Sequence, residues 1–460
     1  MFLLVGLVLN VCPADAHDLQ ANIDSKGEDN RTRQVRDWPR YLGTNFDGST
    51  DALQTVDADS FAAMKCRWHL TGSTSYGMGS VANGRYLHFD RVGNQERIAA
   101  YAMDDGRQLW QNTQPVEYRD PYGYDDGPRS SPTIDGNDVF TFGVAGRLSC
   151  HDLESGALRW SVETNREYGV VTNFFGVGCS PLVMGESVLV MVGGSKKGMD
   201  ETRGAGDIAN LPTNGSALVA FDRKTGKEKW RCGEDLASYS SPRPVSDQRV
   251  LVFCRNALLL IATGENVKPD QRVLWSFPWR ARKLESVNAM VPIVDRNQVF
   301  ISECYSPGSA LLDLTSDKPD VIWQDEARSR DRAFRSHWAT PNLVRIDGQR
   351  YLIGGSGRNA PDSSFLCMRL KDGKTMWEDF NRTRSSSIRI GDRILRLTED
   401  GELALIRPDI QRLVIESKID LSIAGKDRPA LKRYCWAAPI YADGCLLVRG
   451  KRNVLCLQLP

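Results

Sequence analysis

The chain has 460 residues, 41% of them apolar and 25% charged, with a formal net charge of +1. That balance describes an ordinary folded protein and gives no support for a nucleic-acid footprint, which needs a basic face, so no nucleic-acid partner is expected. No apolar run reaches the roughly 18–20 residues that span a bilayer, so no transmembrane span is expected; forty glycines and eleven tryptophans point instead to many tight turns and large anchoring side chains.

In chain order, the first element is an export signal. Phe2 to Val11 is apolar and Ala14-Asp15-Ala16 fits the small-x-small cleavage pattern, which predicts a signal peptide over 1–16 and a periplasmic or extracellular mature protein. A lipid anchor at Cys12 is the alternative, although Asn10 and Val11 are not the small residues such a site needs. Residues 17–37 are polar and charged and read as a flexible tether. One domain is expected over 38–460.

From there the chain repeats. The stretch "ALVAFDRKTGKEKW" ends at Trp230, and related stretches end at Trp110, Trp160 and Trp377. Each has a glycine (Gly106, Gly156, Gly226, Gly373) four residues before the tryptophan. Degenerate copies end at Trp275 and Trp323, and one around Ile415 has lost the tryptophan. A second mark, a Ser-Pro-like pair, precedes an apolar run in each unit. Its second residue (Val81, Pro132, Pro181, Pro242, Pro292, Pro341, Ile388, Pro439) recurs at intervals of 51, 49, 61, 50, 49, 47 and 51 residues. The long interval holds a Gly-rich insertion over 193–215.

Each unit reads as four short strands joined by hairpin turns, a sheet that cannot bury both faces alone. Radial packing of such sheets gives an all-β, eight-bladed β-propeller, with seven blades as the alternative. The last unit stops after its third strand, and "MKCRWHL" with Trp68 has the setting of a fourth. Met64 to Leu70 is therefore expected to complete the final blade and close the ring, removing an exposed edge. The tryptophans, Trp68 included, are read as anchors between blades, each aimed by its own turn glycine at low steric cost.

The segment "AFDRKTGKEKW" resembles the repeat signature A-x-D-x-x-T-G-x-x-x-W of the pyrroloquinoline-quinone-like propellers. These include BamB-type outer-membrane assembly factors and quinoprotein alcohol dehydrogenases. The lead "DWPRYLGTNFDGS" is similar to exported propellers common in planctomycete-like bacteria. The resemblance covers Trp38 to Pro460 and implies a blade-docking role for Ala220, Asp222, Gly226 and Trp230, and for Asp152, Gly156 and Trp160. It also implies how a quinone would be held: by a disulfide between adjacent cysteines, a stacking tryptophan and calcium. This chain has no adjacent cysteines, no Cys-x-x-Cys-His and no evident Glu-Asn-Asp cluster, so neither quinone nor calcium is expected. The implied function is a non-catalytic scaffold, monomeric, that binds a protein of the cell envelope or a small ligand at the propeller axis. A quinone-dependent dehydrogenase and an extracytoplasmic small-molecule sensor are the alternatives.

Residues just before the Ser-Pro marks should enter the innermost strands and gather at one mouth of the central channel. They are Tyr76, Arg129, Cys179, Tyr239, Asn288, His337, Trp338, Arg384, Tyr434 and Trp436. Aromatic, amide and basic groups converging there suit an anionic or aromatic ligand, or a peptide; the competing reading is a water-filled channel with no ligand. The five histidines form no metal-binding pair, and His88 reads as a strand residue. Cys150, Cys367 and Cys456 match Ala102 and Ala220 of sister units, which marks small buried positions. Cys66, Cys435, Cys445 and Cys456 map to the closing blade, as buried free thiols or as a disulfide clamp. Asp120, Asp125 and Asp126 read as a solvated acidic loop rather than a calcium site.

Overall fold

Four apolar runs per unit, alternating in and out and punctuated by turn residues, form one antiparallel sheet each. The computed structural model describes residues 37–50, 56–72, 74–196, 208–326 and 331–460. The expected signal peptide, Cys12, nearly all of the tether and the middle of the Gly-rich insertion lie outside them. Eight sheets follow one another around an axis: blade 1 over 80–115, blade 2 over 133–163, blade 3 over 182–232, blade 4 over 243–278, blade 5 over 293–324, blade 6 over 342–379 and blade 7 over 385–420. Blade 8 combines Ile440–Ala442, Cys445–Arg449 and Asn453–Gln458 with the N-terminal strand Lys65–Thr71. In that seam Trp68 lies opposite Cys456 and Thr71 opposite Asn453. The ring has eight blades and is closed by its N-terminal strand, and the seven-bladed alternative falls.

The Ser-Pro marks stitch the innermost strands together. The hydroxyl of Ser80 donates to the Pro132 carbonyl at 2.6 Å, and that of Thr133 to the Pro181 carbonyl at 2.6 Å. The backbone N–H of Ser131 donates to Ser180 Oγ, and that of Ser180 to Ser241 Oγ, both at 2.9 Å. Proline has no N–H to leave unpaired where one inner edge faces the next.

The tryptophans fasten the outer strands, but not as the sequence suggested. Trp68, Trp110, Trp160 and Trp323 donate their indole N–H to the carbonyls of Met103, Leu153, Arg223 and Leu370 in the following blade, at 2.8–2.9 Å. A Cβ added to Gly106, Gly156, Gly226 or Gly373 would lie 2.6, 2.3, 2.6 or 3.1 Å from the tryptophan of the preceding blade. Each turn glycine thus receives its neighbour's ring instead of aiming the Trp that follows it. Positive φ values of 69–73° at these four glycines meet the turn's other demand. The turns themselves are tied by an acid: Asp222 Oδ1 accepts from the N–H of Lys224 and from both the N–H and hydroxyl of Thr225. Where blade 4 lacks the glycine, the Arg272 guanidinium stacks on Trp230 at 4.1 Å.

The register corrects one equivalence. Trp110 lies opposite Ala100, as Trp160 lies opposite Cys150 and Trp377 opposite Cys367, so Ala100 and not Ala102 is the small buried partner. All ten described cysteines are free thiols; the blade 8 clamp is not formed, and strand pairing closes the ring.

A second feature was not foreseen. The lead enters the channel and packs against its inner strands. Trp38 exchanges two backbone hydrogen bonds of 2.8 Å with Val81 of blade 1, and Pro39 accepts one from Ile134 of blade 2. Positive φ at Leu42, Gly43, Phe46 and Gly48 folds the segment back on itself, and Ser49–Thr50 then adds a parallel strand to blade 7 beside Arg389 and Ile390. Arg40, Tyr41 and Phe46 line a cavity of about 20 Å³ together with Ser180, Ser241 and Val291 of blades 3 to 5, room for one water. The helix Ala58–Ala62, capped by Asp57 and anchored by fully buried Phe61, carries the chain out to the closing strand.

Candidate functional site: the aromatic axial face

The loops that precede the inner strands and those that join second to third strands share the opposite mouth. Trp436 is their centre. Its ring lies 4.6 Å from Tyr76, 4.9 Å from Tyr434 in a stacked pair, 5.8 Å from Trp338 and 5.9 Å from Tyr124. The Arg384 guanidinium sits 4.8 Å from the Trp436 ring and 5.2 Å from that of Trp338. Beneath them Glu399 accepts from Arg384 Nη2 at 2.6 Å and from the Trp436 indole N–H at 2.9 Å. Burial alone would push the Glu399 carboxyl up; the hydrogen bonds from Arg384 and Trp436 outweigh it and hold the group below its ordinary range. The Trp338 indole N–H donates to the Trp436 carbonyl at 3.0 Å, which ties blade 6 to blade 8.

The rest of the face is built outward from this centre. Arg129 stacks on Tyr76 at 4.9 Å and donates to Asp120 Oδ2 at 3.1 Å and to the Asp125 carbonyl at 2.6 Å. Asp120 and Asp125 are 3% and 6% exposed, so the solvated acidic loop is corrected: its carboxylates turn inward, to Arg129 and to the loop's own N–H groups at Tyr122, Asp125 and Gly127. This folding presents Tyr122 and Tyr124, 56% and 44% exposed, against Phe175 at 5.5 and 5.9 Å.

The predicted residues divide. Tyr76, Arg129, Trp338, Arg384, Tyr434 and Trp436 come together as one patch, with His337 beside Trp338 at 5.0 Å. Burial, with Arg384 and Arg358 nearby, lowers the His337 imidazole to about 3, so it is neutral at physiological pH. Tyr239 and Asn288 serve the loops instead. The Tyr239 hydroxyl accepts from the N–H groups of Phe174 and Phe175 at 2.9 and 3.0 Å. Asn288, 1% exposed, donates from Nδ2 to the carbonyls of Cys254 and Trp279 at 2.8 and 3.0 Å. Cys179 is buried among apolar residues of blades 2 to 4. Sequence reasoning missed Tyr122, Tyr124, Phe175 and Glu399; the paired aromatics of "PYGYDDG" and "TNFFGVG" were the available signal. His88 is a strand residue, as expected, and sits between the Tyr86 hydroxyl at 3.1 Å and Asp90 at 3.2 Å.

A family model described as outer membrane protein assembly factor BamB matches residues 94–379. The chain belongs to this family. Among solved structures it is similar to BamB from Moraxella catarrhalis, at 16% identity and a TM-score of 0.55 over 86% of this chain and 98% of that one. A europium-containing methanol dehydrogenase aligns at 12% identity and a TM-score of 0.65, over 92% and 91% of the two chains. The quinohemoprotein alcohol dehydrogenase of Comamonas testosteroni aligns at 12% and 0.62, over 96% and 84%. These likenesses concern the fold. Comparison with curated protein sequences found no match. No helix among the described residues is long and apolar enough to cross a membrane.

Proposed function

We propose that the chain is an exported, non-catalytic binding propeller, working as a monomer, whose aromatic axial face docks a protein partner in the cell envelope. The observation that carries this reading is the saturated centre of the face. Trp436 is already stacked by Tyr76, Tyr434 and Arg384, so the mouth offers an aromatic and arginine-rich surface rather than a slot. Trp, Tyr and Arg are the residues that dominate protein–protein hot spots, and the family model's description as an assembly factor agrees with such a role. Capture from native envelope extracts tests it. Wild-type protein should retain a defined partner that Trp436→Ala loses at unchanged melting temperature; equal recovery by both would sink the reading.

The likeness to quinoprotein dehydrogenases favours a second reading, an oxidoreductase. The residues at the axis fit it poorly. The stacking faces of Trp436 are taken, Glu399 is committed to Arg384 and Trp436, and no cluster of three His, Cys, Asp or Glu able to hold a metal exists among the described residues. Dye-linked alcohol oxidation on adding quinone and calcium would restore that reading. Saturable binding of a small molecule without turnover would favour a sensor.

A further inference from the structure

Around the axis, four arginines of this face are paired with carboxylates. Arg384 pairs with Glu399, Arg129 with Asp120, Arg335 with Asp362 and Arg433 with Asp400. Between blades 4 and 6 the pattern breaks. The Lys283 ammonium lies 5.6 Å and the Arg358 guanidinium 4.5 Å from the centre of the Tyr305 ring, and neither has a hydrogen bond or an ion pair among the described residues. The carboxylate behind the ring does not serve them. Glu303 is 2% exposed and accepts from Ser286 Oγ at 2.9 Å and from the Tyr305 N–H at 2.8 Å. On the axial side His337 keeps its Nδ1 buried without a partner.

Two like charges on one aromatic ring repel, and the ring offsets only part of that cost. They are therefore poised for an anion that neither has inside the fold. Arg358 offers a planar fork that matches a carboxylate with two parallel hydrogen bonds, and Lys283 a flexible point charge beside it. Arg358 lies close enough to His337 to act on its imidazole, and His337 sits beside Trp338, so a chain lying across the aromatic face could extend over Tyr305. We propose that Lys283 and Arg358, on the floor of Tyr305, form a subsite for the carboxylates of an acidic polypeptide segment. This rests on the protein-docking reading above and names the chemistry of that partner.

Calorimetric titration of the full chain with hexaglutamate, hexaglutamine and inorganic phosphate at low salt tests it. Hexaglutamate should bind, weaken as salt rises, and lose about tenfold or more in affinity in a Lys283→Gln/Arg358→Gln variant of unchanged melting temperature. Hexaglutamine should not bind, and phosphate should bind at least about tenfold more weakly than hexaglutamate. Unchanged affinity in the double variant overturns the proposal; phosphate binding as tight as hexaglutamate overturns it in favour of a free-anion site. Failure of the docking reading shows separately. If partner capture survives Trp436→Ala while the double variant loses hexaglutamate, the subsite stands alone. If capture needs Trp436 but hexaglutamate ignores the double variant, the subsite falls and the docking face remains.

Discussion

At the rim, Trp68, Trp110, Trp160 and Trp323 each donate to a carbonyl of the next blade and rest on a glycine of its turn, so one contact is made four times. At the axial face Trp436 and Trp338 are each used once, with partners drawn from blades 1, 6, 7 and 8 and from connecting loops. Repetition marks what holds blades together, because every interface poses the same problem. A surface that recognises something outside the ring meets it at one place, and its residues need obey no period. The electrostatics follow burial and partners rather than place, since axial Glu399, despite its burial, is held below its ordinary range by Arg384 and Trp436. Rim acids such as Asp222 accept hydrogen bonds, from Thr225 above all, and are held below their ordinary range. The axial-side Glu303 is pushed up by burial to about 7.

The strongest way to break the comparison is at a rim glycine. Gly156→Ala puts a Cβ 2.3 Å from the Trp110 ring at a φ of +72°, whereas Gly136→Ala, at +61°, meets nothing within 4 Å. The first should cost about 3–5 kcal/mol, overpacking added to strain, and the second only the strain of about 1–2 kcal/mol. Urea unfolding measures both, and equal losses would mean that the glycine serves the turn alone. The next effect is smaller and depends on pH. Because the folded Glu303 carboxyl titrates near 7 and an unfolded one near 4.3, the fold favours its protonated form. Its contribution is full below the unfolded value and is lost as pH rises towards 7. Glu303→Gln should therefore lose less stability than wild type between pH 4.5 and 7.5; identical profiles would place this carboxyl outside the linkage. Smallest is Asp222→Ala, which removes one turn's acceptor and should cost about 1 kcal/mol, read as a shift in urea midpoint while partner capture is unchanged.

The ring was legible in the sequence because its cause is periodic. Val81 and Pro132 to Pro439 mark inner strands, glycine and tryptophan mark outer ones, and the missing fourth strand pointed to Trp68. What stayed hidden depends on contacts between units that no single unit records. Gly156 stands four residues before Trp160 in the chain but carries Trp110 in space. The lead from Trp38 to Thr50 has no counterpart in any unit, so nothing indicated that it would enter the channel. At the candidate site, position before an inner strand was enough to gather Tyr76, Trp338, Arg384 and Trp436. It failed for Asn288, whose amide is consumed by the carbonyls of Cys254 and Trp279, and it could not reach Tyr122 and Tyr124, which a long loop presents at the face.

The seam of Lys65–Thr71 against Asn453–Gln458 sets the order of assembly. The strand Lys65–Thr71 must wait, edge bare, until Asn453–Gln458 of the same sheet arrives. Joining such distant segments is slow, because loop-closure entropy is lost before the contacts reward it. An open array of repeats can gain or lose units one at a time. Here strands from both ends of the ring share the blade 8 sheet, and loosening any blade opens a gap that its neighbours on both sides share. The repeats are therefore expected to melt together in one transition, with the seam deciding when.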